Sequence, residues 1–164
     1  MKGRYVSTGI VLGSLVALAV VGCATGSKMP VGTGDIVADR QRLMKLNGAS
    51  WADAQAKAKA GQFEAIAVNA ETMAVNAMHI PSVFPQGSLT DKSKAKPEVW
   101  QKWDEFEKAA NNMVAWSGRL RDAARAKDNQ QVETIMKDFG AQACGTCHRP
   151  FRVPPPQAPA APRS

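Results

Sequence analysis

The chain has 164 residues and a formal net charge of +7, from 21 Lys and Arg against 14 Asp and Glu. This length suits one domain with a substantial core rather than two. The composition, with only 6% aromatic residues and much Ala, Lys, Gln and Glu, favours helices. No alternation of β-branched residues is long enough for a strand, and no interleaving of basic and aromatic residues points to nucleic acid.

The amino terminus has the features of an export signal. Lys2 and Arg4 precede an apolar stretch at residues 10–21, which is too short to span a bilayer as a helix. The stretch ends in Val20-Val21-Gly22-Cys23, which resembles a bacterial lipobox. We therefore expect residues 1–22 to be a lipoprotein-type signal peptide and Cys23 to be the lipidated first residue of the mature protein. Cleavage by an ordinary signal peptidase nearby is the alternative.

Two segments flank a folded body predicted at residues 35–153. Residues 23–34 are small and polar with interspersed Gly and Pro, which is typical of a flexible tether. Residues 154–164 are rich in Pro and Ala and are expected to be an extended or disordered tail. The expected location is the periplasm, with the protein held to a membrane by its lipid anchor.

The first two predicted helices cover residues 35–60 and 62–78. Asp35 is a suitable N-cap or first-turn acid for the first helix, and Gly61 is a natural stop after it. Pro81 ends the second helix because proline cannot continue it. The long loop at residues 81–96 predicts a crossover between elements at opposite ends of the domain.

The third and fourth predicted helices complete a bundle. The third covers residues 97–126 and opens with Pro97 at its first position. The fourth follows a break at residues 127–129, where Asp128 and Gln131 have the spacing of a capping box, and runs to Arg152. Apolar residues recur at three- and four-residue steps in all four segments, which predicts an all-α, antiparallel four-helix bundle.

The most informative motif is Cys144-Gly145-Thr146-Cys147-His148 near the carboxyl end. Thiols three residues apart share one face of a helix, so both can form thioether bonds to the vinyl groups on one edge of a porphyrin. His148 follows on the same face and can be an axial ligand of the iron. A redox-active disulfide is the competing interpretation, but it does not require the histidine and would need a βαβ context. The sequence thus predicts one covalent haem c.

A haem motif on the last of four helices, close to the carboxyl end, resembles the cytochrome c′ family, the class II c-type cytochromes. The resemblance covers about residues 35–152. Its weaker motifs are Arg40-Gln41-Arg42-Leu43-Met44-Lys45, Lys96-Pro97-Glu98-Val99-Trp100 and Phe151-Arg152. It implies that His148 is the proximal ligand and that Met44, four residues after Arg40, faces the distal side of the iron.

The resemblance implies two possible functions, and the choice between them depends on whether Met44 binds the iron. Members of the family with Leu or Phe at this position leave the iron five-coordinate and able to bind NO or CO. Low-spin members use such a methionine as the sixth ligand and carry electrons. Met44 as ordinary core filler is the alternative, and His79, at the end of the second helix, is the other candidate ligand.

Two arginines are further candidates for the haem site. Arg152, one turn after His148, resembles the family's arginine near the proximal haem face, where it could tune the iron ligand or pair with a propionate. It could also be an exposed cation favoured by the helix dipole. Arg40 could reach a propionate with bidentate geometry, or could only border the bundle.

The expected function is one-electron transfer with periplasmic or membrane redox proteins, and the alternative is a gas-binding cytochrome c′. No Ser-His-Asp, paired-carboxylate or zinc constellation is present in the sequence, so we do not expect an enzyme. The basic excess, with a local concentration at Lys92, Lys94 and Lys96, would attract acidic redox partners or an anionic membrane. The resemblance also implies that a homodimer can form through the first two helices.

Overall fold

A computed structural model of the chain describes residues 34–155. It contains α1 (Ile36–Lys59), α2 (Ile66–Met78), α3 (Glu98–Gln101), α4 (Trp103–Arg125), α5 (Asn129–Phe139) and α6 (Gly145–Phe151), with a 3-10 turn at Pro81–Val83 and a π-helical turn at Gly140–Cys144. No strand occurs between residues 34 and 155, where one isolated antiparallel bridge joins Ala95 to Arg152. The predicted antiparallel four-helix bundle is confirmed, with α3 and α4 forming its third segment and α5, the π-helical turn and α6 its fourth.

Both ends of α1 are capped as the sequence predicts. The Asp35 carboxylate accepts hydrogen bonds from the backbone N–H groups of Val37 and Ala38, at 2.9 and 3.1 Å. Gly61 takes a positive φ of 71° after the helix, and the N–H of Gln62 bonds to the carbonyl oxygen of Lys57 at 2.9 Å. This bond completes a Schellman cap.

The same cap corrects the predicted start of the second helix. Because the N–H of Gln62 closes the end of α1, residues 62–65 form tight turns instead of a helix. The N–H of Ala65 bonds to the carbonyl oxygen of Gln62, and that of Ile66 to the carbonyl oxygen of Phe63. Helix α2 therefore begins at Ile66 and not at residue 62.

The third predicted helix is two helices. Lys102 leaves the helical region, with φ −127° and ψ 51°, and separates α3 from α4. The Trp100 indole N–H donates to the carbonyl oxygens of Phe84 and Pro85, at 3.0 and 2.9 Å. These bonds fix α3 to the preceding loop, whereas α4 packs in the bundle against α2 and α5.

The fourth segment begins as predicted and is interrupted by the π-helical turn. The Asp128 carboxylate caps α5 by accepting a hydrogen bond from the N–H of Gln131 at 2.9 Å. The N–H of Gly145 bonds to the carbonyl oxygen of Gly140, five residues earlier. Such a turn adds one residue to the helical repeat, so the face presented by the haem motif is shifted relative to that of α5.

Aromatic side chains fill the core on which the haem motif rests. The Phe106 ring is fully buried and lies 4.9 Å from Phe84 and 5.4 Å from Phe151, measured between ring centroids. Trp51 of α1 stacks on Phe139 of α5 at 4.6 Å. These large rings come from different segments and pack against one another, so they contribute much of the buried apolar area of the core.

Several predicted features lie outside the described residues. These are the signal peptide at residues 1–22, the lipidation site Cys23, the tether except for its last residue, and the tail beyond residue 155. Between residues 34 and 155, no helix combines the length and the apolar character needed to cross a membrane.

Candidate haem-binding site

A cavity of about 480 Å³ lies between the first half of α1, the loop after Pro81–Val83 and α6. Its volume falls within the range of roughly 300–1,000 Å³ that is usual for small-molecule and cofactor sites. Its apolar wall consists of Val37, Ile80, Phe84, Ala95, Val99, Phe106 and Phe151. Its other lining residues are Arg40, Gln41, Met44, Lys45, Ser93, Lys94, Cys147, His148 and Arg152.

The haem motif is half-buried and is held in place from α4. The Asn112 side-chain amide donates to the carbonyl oxygen of Gln142 at 2.6 Å and to Oγ1 of Thr146 at 3.3 Å. The Thr146 hydroxyl donates to the same Gln142 carbonyl at 2.9 Å. These bonds fix the π-helical turn and the first turn of α6, which together carry Cys144 and Cys147.

Burial shifts the pKa values of the three ionisable side chains of the motif. It raises the pKa of the Cys144 thiol and, with a smaller contribution from Cys144, raises the pKa of Cys147 to about 11. Burial also lowers the pKa of His148, and the positive charge of Arg152 lowers it further. His148 is therefore neutral at physiological pH, the form in which a ring nitrogen can bind a metal.

Of the two candidate distal ligands, the structure places only Met44 at this site. Met44 is half-buried on α1 and lines the same cavity as Cys147 and His148. His79 is exposed at the end of α2 and is not part of the cavity wall. Met44 and His148 are thus brought together although they lie far apart in the sequence.

Arg40 lines the cavity and is a buried cation, because only 5% of its surface is exposed. Its Nε donates to the carbonyl oxygen of Val83 at 2.5 Å. Nη1 donates to the carbonyl oxygen of Ser88 at 2.9 Å and to Oγ of Ser93 at 3.4 Å. Nη2 donates to the Ser88 hydroxyl. The guanidinium also lies 4.4 Å from the Phe84 ring centroid. Burial lowers the pKa of Arg40.

The charge on Arg40 provides a test of whether haem fits this cavity. No carboxylate between residues 34 and 155 forms a salt bridge with it. A buried charge without an opposite charge is unfavourable, and haem carries two propionate carboxylates. The cavity therefore combines an apolar wall, a CxxCH motif and a buried positive charge, a set of groups that fits haem.

Arg152 lies beside His148, where the sequence placed it. Its backbone N–H donates to the carbonyl oxygen of His148 at 3.2 Å, and its side chain is exposed at the edge of the cavity. The backbone of Val153 continues the contact by donating to the carbonyl oxygen of Lys94 at 2.8 Å. The carboxyl end of α6 is thereby joined to the 84–97 loop.

The residues that position the site could not be identified from the sequence alone. Asn112 carried no signal except that it is a polar residue next to the buried Met113 on α4. Ser88 and Ser93 lie in a loop whose path a sequence pattern does not define. Lys45, the last residue of the Arg40–Lys45 motif, is also part of the cavity wall.

Comparisons with known proteins identify the family to which this chain belongs. The family model of cytochrome c′ matches residues 35–152. A cytochrome c-556 of Agrobacterium fabrum is 33% identical over 159 residues, which cover 93% of this chain and 97% of that protein. A cytochrome c-554 of Cereibacter sphaeroides is 35% identical over 75 residues, which cover 44% of this chain and 48% of that protein.

Solved structures show the same fold. Cytochrome c′ from Rubrivivax gelatinosus superposes with a TM-score of 0.63 at 24% identity, covering 73% of this chain and 95% of that one. Cytochrome c′ from Thermochromatium tepidum gives a TM-score of 0.66 at 22% identity, with the same coverage. The chain therefore belongs to the cytochrome c′ family and binds covalent haem c, for which Cys144 and Cys147 provide the attachment motif.

Proposed function

We propose that this cytochrome is a one-electron carrier, and not an enzyme, in which Met44 closes the iron site opposite His148. The observation that carries the proposal is the placement of Met44, on α1, in the wall of the cavity that also contains His148, on α6. Bound haem supplies the Fe(III)/Fe(II) couple, and methionine–histidine ligation raises its reduction potential. If Met44 and His148 both bound the iron, outer-sphere electron transfer would be the main chemistry left to the haem.

The protein side chains support this role by holding the ligands and excluding water. The buried rings of Phe84, Phe106 and Phe151 form an apolar wall, which keeps the local dielectric low. Burial lowers the pKa of His148 and favours its neutral form, in which a ring nitrogen would bind the haem iron. Arg40 provides a fixed positive charge within hydrogen-bonding reach of the loop serines and is suited to a propionate.

A gas-binding cytochrome c′ is the second candidate. Solved neighbours of similar fold include nitric oxide complexes of variants of cytochrome c′ from Alcaligenes xylosoxidans, at 22–23% identity. The variants in those complexes carry changes at a leucine, whereas this chain has Met44 in the cavity wall. Gas binding here would require that the Met44 thioether stays unbound or is displaced.

Visible spectra of the purified holoprotein separate the two candidates. For an electron carrier we expect sharp, split low-spin bands in the ferrous state that do not change when CO is added. A broad high-spin ferrous spectrum that shifts with CO would overturn the proposal in favour of gas binding. The same measurement repeated with NO tests whether a stronger ligand displaces the thioether.

We further propose that the protein is exported to the periplasm and is anchored there through lipidated Cys23. The support is the signal-like sequence at residues 1–22 and its lipobox-like end. Mass spectrometry of the mature amino terminus tests this directly, because lipidation adds acyl mass to Cys23. Replacement Cys23→Ser should release the cytochrome from the membrane fraction, and a membrane fraction that keeps it would contradict the anchor.

A homodimer through α1 and α2 is also proposed. Leu46 of α1 and Val68, Val75 and Met78 of α2 are large apolar side chains that are 40–69% exposed. One solved neighbour of similar fold is described as a cytochrome c′ with ligand-controlled dimer dissociation. Sedimentation of the holoprotein should show a dimer that Val68→Glu converts to a monomer, whereas a monomer at all concentrations would exclude it.

A further inference from the structure

The side chains at the opening of the haem cavity carry a uniform charge. Among the residues that line the cavity, those with exposed side chains are Gln41, Lys45, Lys94 and Arg152. Three of these four are positive, and no acidic residue is part of the wall. We call Lys45, Lys94 and Arg152 the basic rim. Any redox protein that approaches the haem through this opening meets these three charges.

Backbone contacts join two of the three segments that carry the basic rim. Lys45 comes from α1, Lys94 from the 84–97 loop and Arg152 from the end of α6. The loop and α6 are joined by hydrogen bonds from the N–H of Val153 to the carbonyl oxygen of Lys94, at 2.8 Å, and from the N–H of Lys96 to that of Phe151, at 2.9 Å. The backbone segments that carry Lys94 and Arg152 are therefore held beside each other.

Within residues 34–155, no salt bridge involves Lys45, Lys94 or Arg152. The salt bridges between residues 34 and 155 involve other cations: Arg42, Lys57, Lys102, Arg121, Arg125 and Lys127. Asp91 is the acid nearest to Lys94 along the chain, and its carboxylate accepts the backbone N–H of Lys92 at 3.0 Å. Lys92 and Lys96 add further positive charge on either side of Lys94. Like charges held together without partners are unfavourable for the protein alone, but they attract a negative surface.

We infer that the basic rim is the docking surface for an acidic redox protein, which exchanges one electron with the haem through this opening. The inference rests on the proposed electron-carrier function and identifies the kind of partner which that function requires. An acidic surface would compensate the three positive charges and would orient the partner over the cavity. Because the rim side chains are exposed, the attraction is screened within about 8 Å at physiological ionic strength, so it acts mainly on encounter and orientation.

The experiment uses the holoprotein and a strongly acidic blue-copper protein as the electron acceptor. One electron passes from the ferrous cytochrome to Cu(II), which leaves ferric cytochrome and Cu(I), and stopped-flow absorbance follows both. We expect the second-order rate constant to fall as ionic strength rises. Lys45→Glu and Lys94→Glu should each lower it by about 3- to 10-fold at low ionic strength, and the double variant should lower it further.

Lys59→Glu is the matched control because it makes the same change in net charge on the same helix as Lys45→Glu. Lys59 is exposed and lies 14 residues further along α1, about 21 Å away at the helical rise. Equal effects of Lys59→Glu and Lys45→Glu, or a rate constant that does not depend on ionic strength, would overturn the inference. Oxidation by an uncharged mediator gives the charge-independent rate of each variant, to which its rate with the blue-copper protein is normalised, and failure of the wild-type protein in this reaction would instead count against the electron-carrier function.

Vesicles of phosphatidylglycerol test the other negative surface that could bind the rim. If the double variant loses binding to these vesicles while its rate constant with the blue-copper protein equals that of wild type, the rim binds membrane and the inference is wrong. If the rate constant falls in the rim variants and vesicle binding is weak or unaffected, an acidic protein is the supported partner.

Discussion

Asn112 of α4 donates a 2.6 Å hydrogen bond to the carbonyl oxygen of Gln142, inside the π-helical turn that precedes the haem motif. A π-helical turn spaces its backbone hydrogen bonds differently from an α-helix, and side chains often complete its bonding. The same amide reaches Oγ1 of Thr146, within the motif itself. One side chain on α4 thus fixes both the irregular turn and the start of α6.

Asn112→Ala should destabilise the holoprotein by about 1–2 kcal/mol, because the Gln142 carbonyl loses a short hydrogen bond. The measurement is urea unfolding of the holoprotein, followed by circular dichroism. Asn111→Ala is the control, since Asn111 is exposed on the same helix and its replacement should change stability by less than about 0.5 kcal/mol. Equal losses in the two variants would show that Asn112 has no particular role in holding the turn.

Arg40→Lys should destabilise the protein although it keeps the charge. The guanidinium bonds to Val83, Ser88 and Ser93 with a planar set of donors that an ammonium group cannot reproduce. Loss of hydrogen bonds that involve a charged group predicts a decrease of about 2–3 kcal/mol in the free energy of unfolding. Limited proteolysis should also cut the 84–97 loop faster in the variant, because Arg40 connects this loop to α1.

The control for Arg40→Lys is Arg42→Lys, two residues along the same helix. The Arg42 side chain is 54% exposed, and its ion pair with Asp39 is 3.6 Å long. Because Arg42→Lys keeps the positive charge beside the buried Asp39 carboxylate, it should leave both stability and cleavage nearly unchanged. A similar response of the two variants would mean that the bonds of Arg40 do not hold the loop.

The sequence was sufficient for features set by local chemistry. The N-caps at Asp35 and Asp128 and the stop at Gly61 were all predicted, because each depends on one side chain or on one backbone angle. The haem motif was equally clear because covalent attachment requires fixed spacing. Such features can be read from a few consecutive residues.

Features that depend on distant contacts could not be predicted in the same way. The break at Lys102 accompanies bonds from Trp100 to the loop, and the π-helical turn accompanies a bond from Asn112, thirty residues away along the chain. Arg40 lines the cavity, and its bonds to Ser88 and Ser93 depend on the path of an irregular loop. These details depend on long-range packing, which the periodicity of apolar residues along the sequence does not indicate.

We expect Asp53 to contribute to the loss of stability of the protein at acid pH. Its carboxylate accepts hydrogen bonds from Lys57 and from the amide of Asn69, at 2.7 and 2.8 Å, and these partners lower its pKa. A lowered pKa means that the native state holds the ionised form more tightly than the unfolded chain does. The resulting stabilisation is present above the unfolded pKa of about 3.9 and is lost as the pH falls through the lower native value.

Asp53→Asn should therefore reduce the difference in stability between pH 7 and pH 3, relative to wild type. Urea midpoints measured at pH 7, 4 and 3 provide the comparison. Asp138→Asn is the control, because Asp138 is exposed on α5 and forms no salt bridge among residues 34–155. An acid dependence in Asp53→Asn identical to that of wild type would exclude a contribution from this carboxylate.

Met44→Leu is the sharpest test of the iron site. Leucine fills a similar volume but has no sulfur to offer, and a volume-conserving exchange of Met for Leu usually costs less than about 1.5 kcal/mol. The fold should therefore persist while the distal position opens. We expect the ferrous spectrum to change from low-spin to high-spin, the protein to bind CO, and the reduction potential to fall because the methionine ligand is lost.

Met136→Leu is the matched control. Met136 is also half-buried against the core but does not line the haem cavity, so its replacement should leave the spectra, CO binding and potential unchanged. If Met44→Leu leaves the spectra unchanged as well, Met44 is core filler and another group or none occupies the distal position. If both variants become high-spin, the change reflects general loosening of the bundle and not the loss of a ligand, which equal shifts in their urea midpoints would reveal.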